Sequence, residues 1–181
     1  MANVLGWWLV LEVVGLISLP LLFTVFSERF DRGYGFTKVA SLLSVSYVAW
    51  LAAHVIHVDA ALTLALALYI SLNIALAVTR LDAIRAWLAG GGLRAILVSD
   101  ALWTVGFLFF VWQRSMAPEI FGAEKYMDFA FLNGLTRVDA MPPQDPWMSG
   151  EIINYYYFGY LILAFLWRLL PFDAAIAYNL C

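Results

Sequence analysis

Residues 60–78 read AALTLALALYISLNIALAV, and no side chain in this run is charged. An α-helix rises about 1.5 Å per residue, so about 20 apolar residues cross the ~30 Å hydrocarbon core of a bilayer. Lipid offers the backbone no hydrogen bonds, so such a run adopts the helix, which satisfies its own. Val39–Val58 is a second run of the same kind. Only His57, Val58 and Asp59 are left to turn the chain between the two, which predicts a tight antiparallel helical hairpin.

Outward from this hairpin, Val4–Phe26 and Ala95–Trp112 meet the same criterion. Ile152–Leu170 meets it less well, because Arg168 lies near its end. Pro20 predicts a kink in the first run. Of the 181 residues, 64% are hydrophobic and 13% charged, with a mean hydropathy of +0.85. A soluble domain is about 45–50% apolar and about 25% charged, so lipid must solvate much of this surface. The expected fold is all-α: a polytopic transmembrane helical bundle of about five spanning helices, with a long external loop that contains an interfacial helix. Its expected parts are residues 1–112, a four-helix transmembrane region; 113–151, an external acidic and aromatic loop; and 152–181, a fifth helix and the start of a further, truncated segment. The chain reads as the N-terminal part of a longer protein.

The net charge of −3 leaves no basic patch to neutralise phosphates, which argues against a nucleic-acid partner. Cys181 is the one cysteine, so neither an intramolecular disulfide nor a cysteine-based zinc site is available. The N-terminus lacks a positive flank and its apolar run is too long for a cleavable signal peptide.

Lys and Arg in short loops set orientation. Arg29, Arg32 and Lys38 lie in one interval, and Arg80, Arg85 and Arg94 in another; the N-terminus and the His57–Asp59 turn have none. Both basic intervals are expected on the cytoplasmic side of the cell membrane. The N-terminus and residues 113–151 then fall outside, and Arg168 inside. Gly90-Gly91-Gly92 reads as a flexible loop.

The external segment concentrates Glu119, Glu124, Asp128, Asp139, Asp145 and Glu151 against Arg114, Lys125 and Arg137. Lys125–Leu135 suits a short helix lying in the membrane interface. Pro142, Pro143 and Pro146 exclude regular helix over the stretch that holds them, which reads as an ordered loop. Carboxylates beside cations suit transfer chemistry on a phosphorylated substrate. A carboxylate takes the proton of an attacking hydroxyl, and a cation, or a divalent metal held by the carboxylates, stabilises the departing phosphate. Glu124 and Asp128, four apart, share one helix face. The plainer reading of the same residues is a set of solvated loop charges.

Tyr155, Tyr156 and Tyr157 suit a membrane interface; on a helix they would point three ways, so one at least would face protein or substrate. Glu12, Asp100, Asn73, His54 and His57 are polar groups inside or at the ends of apolar runs, where charge is costly and calls for a partner or a function. Glu12, the deepest, is expected to be protonated and hydrogen-bonded to a neighbouring helix. The histidines have no ligand spacing and read as structural.

Several of these segments form a pattern. Glu124–Asn133 (EKYMDFAFLN) resembles the signature EKPMDFAFLN of a polytopic membrane family named for its YYY motif, the Chlor_Arch_YYY family. Pro142–Trp147 resembles its PPPDPW, Ile153–Tyr160 its INYYYFGH, and Ala177–Leu180 its AYNL. Asp31–Tyr34 and Ala49–Leu51 also fit. Tyr126 and Gln144 stand where proline is common, and Tyr160 where histidine is common. Family members are longer and have more helices.

That family looks distantly like the GT-C membrane glycosyltransferases, which take sugars from polyprenyl-phosphate donors and carry catalytic acids in the first large external loop. The resemblance implies Asp128 as the base, with Glu124 and Asp145 assisting or holding a metal. It implies that Lys125 and Arg137 face the phosphate, and that Asn154, Tyr155, Tyr156 and Tyr157 border the lipid or sugar. The partners it implies are the bilayer and a polyprenyl-phosphate sugar donor. Two other readings stand beside it: a structural or assembly subunit with a membrane-protein partner, and a transporter, suggested by Glu12 and Asp100 but lacking an inverted repeat.

Overall fold

The computed structural model describes residues 2–122 and 124–181. Nine α-helices are found among them: α1 (Ala2–Ile17), α2 (Leu19–Val25), α3 (Thr37–Ala52), α4 (Val58–Thr79), α5 (Leu81–Trp87), α6 (Leu93–Ser115), α7 (Lys125–Thr136), α8 (Phe158–Arg168) and α9 (Ala174–Leu180).

The hairpin predicted from residues 39–78 is α3 and α4. Small residues lie on both sides of it: Ala49 and Ala53 on one, Ala61 and Ala65 on the other, all buried in one cluster. Small side chains let helix backbones approach closely, which is how helices associate without a hydrophobic drive between them. Val58, Ala61, Leu62, Ala65, Tyr69 and Asn73 form the buried stripe of α4, while Leu64, Leu68, Leu72 and Ile74 remain exposed for lipid.

The first run is broken. α1 and α2 meet at a bend of 47° around Ser18 and Pro20, as the proline predicts. Asn73 of α4 accepts from the Leu21 amide through Oδ1 at 3.1 Å, and the Tyr69 hydroxyl donates to Ser18 Oγ at 2.9 Å. A buried amide left without an acceptor costs about 1–3 kcal/mol, so Asn73, polar in an apolar run, answers a backbone need created one helix away.

Gly90–Gly92 is not a loop. A π turn, Leu88–Gly92, joins α5 to α6 and carries its irregularity at Gly91, whose φ of 115° favours glycine. Gly92 lies against the Trp87 ring, where a Cβ would come within 2.4 Å.

The largest departure is the expected fifth span. Among the described residues, three helical stretches are long and apolar enough to cross a membrane, or four if the bent α1–α2 pair counts as one, so a count of about five is not confirmed. α8 has 11 residues, only ~16 Å of helix against a ~30 Å core. Residues 152–157 are irregular chain, so the three tyrosines do not lie on a helix. Both ends of α8 meet the bundle near the α3–α4 turn. Trp50 Nε1 donates to the Tyr157 hydroxyl at 2.9 Å, and Arg168 pairs with Asp59 while donating to the Val138 carbonyl at 2.7 Å. Arg168 therefore lies on the same side of the bundle as the hairpin turn, not opposite it.

Residues 138–141 also come to that side. The Val58 amide donates to the Asp139 carbonyl and the Met141 amide to the Ala53 carbonyl, each at 2.9 Å. The proline-rich stretch is ordered, with Gln144 bridged to Ile152. A helix forms at Lys125–Thr136, where one was expected. His57 caps α4 by accepting from the Asp59 amide, and His54 Nδ1 lies 2.9 Å from the Trp50 carbonyl; both histidines serve local structure.

Lys38 departs from its reading as a loop cation. It is buried, with Nζ 2.8 Å from Glu12 Oε2 and 2.7 Å from Asp100 Oδ1. The cluster ties α1, α3 and α6 together at the end of the bundle away from the hairpin turn, and Gly15 of α1 lies against the Lys38 stem.

Candidate functional site

α7 starts at Lys125, and its first two turns carry Lys125, Asp128 and Leu132 on one face, at the i, i+3, i+7 spacing. Phe131, Leu132 and Leu135 bury the adjoining stripe against α8. This packing turns Asp128 towards α8, where the Tyr160 hydroxyl donates to Asp128 Oδ1 at 2.6 Å. A hydroxyl–carboxylate bond of this length belongs to the strong, charge-assisted class. Donating to this carboxylate raises the Tyr160 phenol above the usual tyrosine range, and burial adds to the rise. The phenol thus stays a donor, and Asp128 keeps Oδ2 for other work.

Lys125, Asp128 and Tyr160 border a cavity of about 630 Å³ between α6, α7, α8 and α9. Small-molecule sites typically measure about 300–1,000 Å³. Its polar wall also includes Arg114, Tyr178 and Asn179. Arg114 Nη1 donates to the Ala117 carbonyl at 2.8 Å, and its guanidinium lies 5.8 Å from the centre of the Tyr178 ring. Asn179 donates to the Pro118 carbonyl at 3.1 Å. Burial, and then the Asp128 charge, raise the Tyr178 phenol as well. Apolar side chains line the rest, among them Phe107, Phe110 and Val111 of α6 and Leu163 of α8. Phe110 is 66% exposed, so the apolar lining is continuous with the outer surface of α6.

Not every residue singled out in the sequence reaches this cavity. Glu124 is exposed just before α7, and its carbonyl accepts from the Asp128 amide. Asp145 Oδ1 accepts from the Trp147 and Met148 amides at 2.7 and 3.2 Å, shaping its own loop. Arg137 is exposed at the C-terminal end of α7, the far end from Lys125. Asn154 is exposed in the irregular chain before α8.

Tyr155, Tyr156 and Tyr157 line a separate aromatic recess with Tyr47, Trp50 and Phe158. Tyr155 touches the other site only indirectly, through the Phe131 ring, whose centre is 5.8 Å from those of both Tyr155 and Tyr160. Among the described residues no three His, Cys, Asp or Glu side chains gather as a metal-holding group. The carboxylates named above therefore do not form a ligand set together.

Arg114, Tyr160, Tyr178 and Asn179 join the site although nothing in their local sequence marks them as site residues. One signal was available: the EKYMDFAFLN, INYYYFGY and AYNL segments each send a residue into the same cavity.

Long apolar helices with lipid-exposed flanks, packed through small residues, define a multi-pass membrane protein of the helical class, one that sits in the lipid bilayer. Within that class the chain belongs to the family described as uncharacterized membrane protein (DUF2298), whose model matches residues 44–181. The match includes every residue of the cavity. No curated protein and no solved structure matches the chain.

Proposed function

We propose that the cavity between α6 and α9 binds a lipid-linked sugar phosphate and that the protein is a glycosyltransferase of the GT-C kind, working with a polyprenyl-phosphate donor on the outer face of the cell membrane. One observation carries this reading: a free carboxylate oxygen and two cations share a cavity with apolar side chains that run on to the exposed surface of α6. An amphipathic donor needs both halves. Its isoprenoid tail lies along Phe107, Phe110 and Val111, while its phosphate lies between Arg114 and Lys125.

The chemistry follows from the placement. Asp128 Oδ2 takes the proton of an acceptor hydroxyl as that oxygen attacks the anomeric carbon. The bond from that carbon to the phosphate oxygen breaks, its electron pair leaves with the polyprenyl phosphate, and Arg114 and Lys125 stabilise the charge that collects there. Tyr160 holds Asp128 by its other oxygen, so the base does not rotate away. Arg114 takes the part first expected of Arg137. Asp145 shapes the loop that packs beside α7, where Pro146 lies against Gly134.

Asp128→Asn is nearly isosteric and keeps an oxygen able to accept from Tyr160, but it cannot take a proton. Positioned general bases contribute about 10²–10⁴-fold to rate, so transfer from a polyprenyl-phosphate sugar in proteoliposomes is expected to fall by at least about 10²-fold. A folded Asp128→Asn protein that retains transfer rules out this assignment of the base.

A further inference from the structure

The charges of the Glu12–Lys38–Asp100 cluster do not sum to zero when all are ionised: two carboxylates face one ammonium. Its hydrogen bonds are also unevenly shared. Asp100 has both oxygens engaged, Oδ1 by Lys38 Nζ at 2.7 Å and Oδ2 by the Tyr34 hydroxyl at 2.8 Å. Glu12 has only Oε2 engaged, by Lys38 at 2.8 Å. Glu12 is 9% exposed, and its Oε1, covered from solvent, has no partner among the described residues. The ionisable groups facing Glu12 are Lys38 from α3, Asp100 from α6 and, through Asp100, Tyr34 from the turn before α3. Other neighbours of α1 are not ionisable: Thr104 of α6, whose hydroxyl accepts from Trp8 Nε1 at 3.0 Å, Leu166 of α8 and Phe172 before α9.

We propose that this cluster is a proton-binding site and that the proton rests on Glu12 Oε1. An ionised carboxylate oxygen with no donor, covered by apolar chain, is among the most costly arrangements available, whereas a neutral carboxyl with one unmet hydrogen bond costs far less. Asp100, with a donor on each oxygen, is the carboxylate built to stay charged, and it forms the ion pair with Lys38. A metal cation is the poorer occupant. Glu12 Oε1 is the one uncommitted oxygen, and the Lys38 ammonium stands beside it; a sodium ion needs several oxygens and no neighbouring cation. With one proton bound, the contact of α1 with α3 and α6 is electrically neutral; without it, the contact carries one negative charge. The site lies apart from the Asp128 cavity and does not depend on the glycosyl-transfer reading.

Infrared difference spectroscopy on the protein in lipid nanodiscs tests this. The wild type is expected to show a carboxylic-acid carbonyl band that shifts in D₂O and is missing in Glu12→Gln. Thermal stability separates a proton site from a simple ion pair. Glu12→Gln replaces one neutral group by another and is expected to leave the midpoint nearly unchanged, whereas Asp100→Asn strips Lys38 of its charged partner and lowers it. Absence of the band, or equal losses for the two variants, overturns the proposal. A midpoint that rises when sodium replaces choline at equal ionic strength, and loses that response in Glu12→Gln, replaces the proton by a metal ion and overturns it as well.

Discussion

Tyr160 of α8 donates to Asp128 of α7 at 2.6 Å, and through that bond an 11-residue helix fixes the carboxylate of the polar cavity. Tyr160→Phe keeps the ring against Phe131 and removes only the donor. Hydrogen bonds to charged groups contribute about 1.5–3 kcal/mol, and for this partly buried pair a loss near the lower end is expected, about 1.5 kcal/mol in detergent unfolding. The stability difference has a pH signature. The folded phenol is raised above its unfolded value, so its contribution is complete below about 10, the ordinary tyrosine value, and is lost as pH climbs beyond it. The advantage of wild type over Tyr160→Phe should be flat at neutral pH and shrink in alkali. A difference that grows in alkali would contradict the assignment of Tyr160 as donor.

Arg168 and Asp59 lie on the same side of the bundle. In a Cys181→Ser background, single cysteines placed at Asp59 and at Leu169 should react with a membrane-impermeant thiol reagent from the same side of sealed vesicles. Labelling from opposite sides would restore a spanning fifth helix.

Asn73→Leu leaves the Leu21 amide without its acceptor beside Pro20. The expected cost is about 1–3 kcal/mol, measured as a lowered thermal midpoint. Transfer activity per folded molecule should not change, because Asn73 lies outside the cavity. Unchanged stability would mean that the bend at Ser18 and Pro20 does not rely on α4.

How much of this was legible beforehand depended on the range of the interactions. α4 was expected at Ala60–Val78 and forms at Val58–Thr79; an uninterrupted apolar run carries its own length and its own hydrogen bonds. α7 was legible for a similar reason, since residues 125–135 hold their amphipathic pattern locally. The fifth span was not. Its apolar residues say nothing of the bridge from Gln144 to Ile152 or of the bond between Tyr157 and Trp50, which hold the chain irregular until Phe158. Lys38 was read with the loop cations because its partners are 26 positions before it and 62 after it, at Glu12 and Asp100. Within the candidate site, Asp128 and Lys125 stood out as charges on one short helix. Tyr160 and Arg114 needed the packing of α7 on α8 and the end of α6 to bring them in.

The most direct test of lipid-phosphate binding is native mass spectrometry of the protein released gently from lipid, compared with Arg114→Ala plus Lys125→Ala. A co-purifying polyprenyl phosphate or its sugar adduct is expected on the wild type, lost from the double variant while the variant keeps its thermal midpoint and ordinary phospholipid adducts. Ordinary phospholipid alone on both proteins, or a polyprenyl species retained without the two cations, would contradict it.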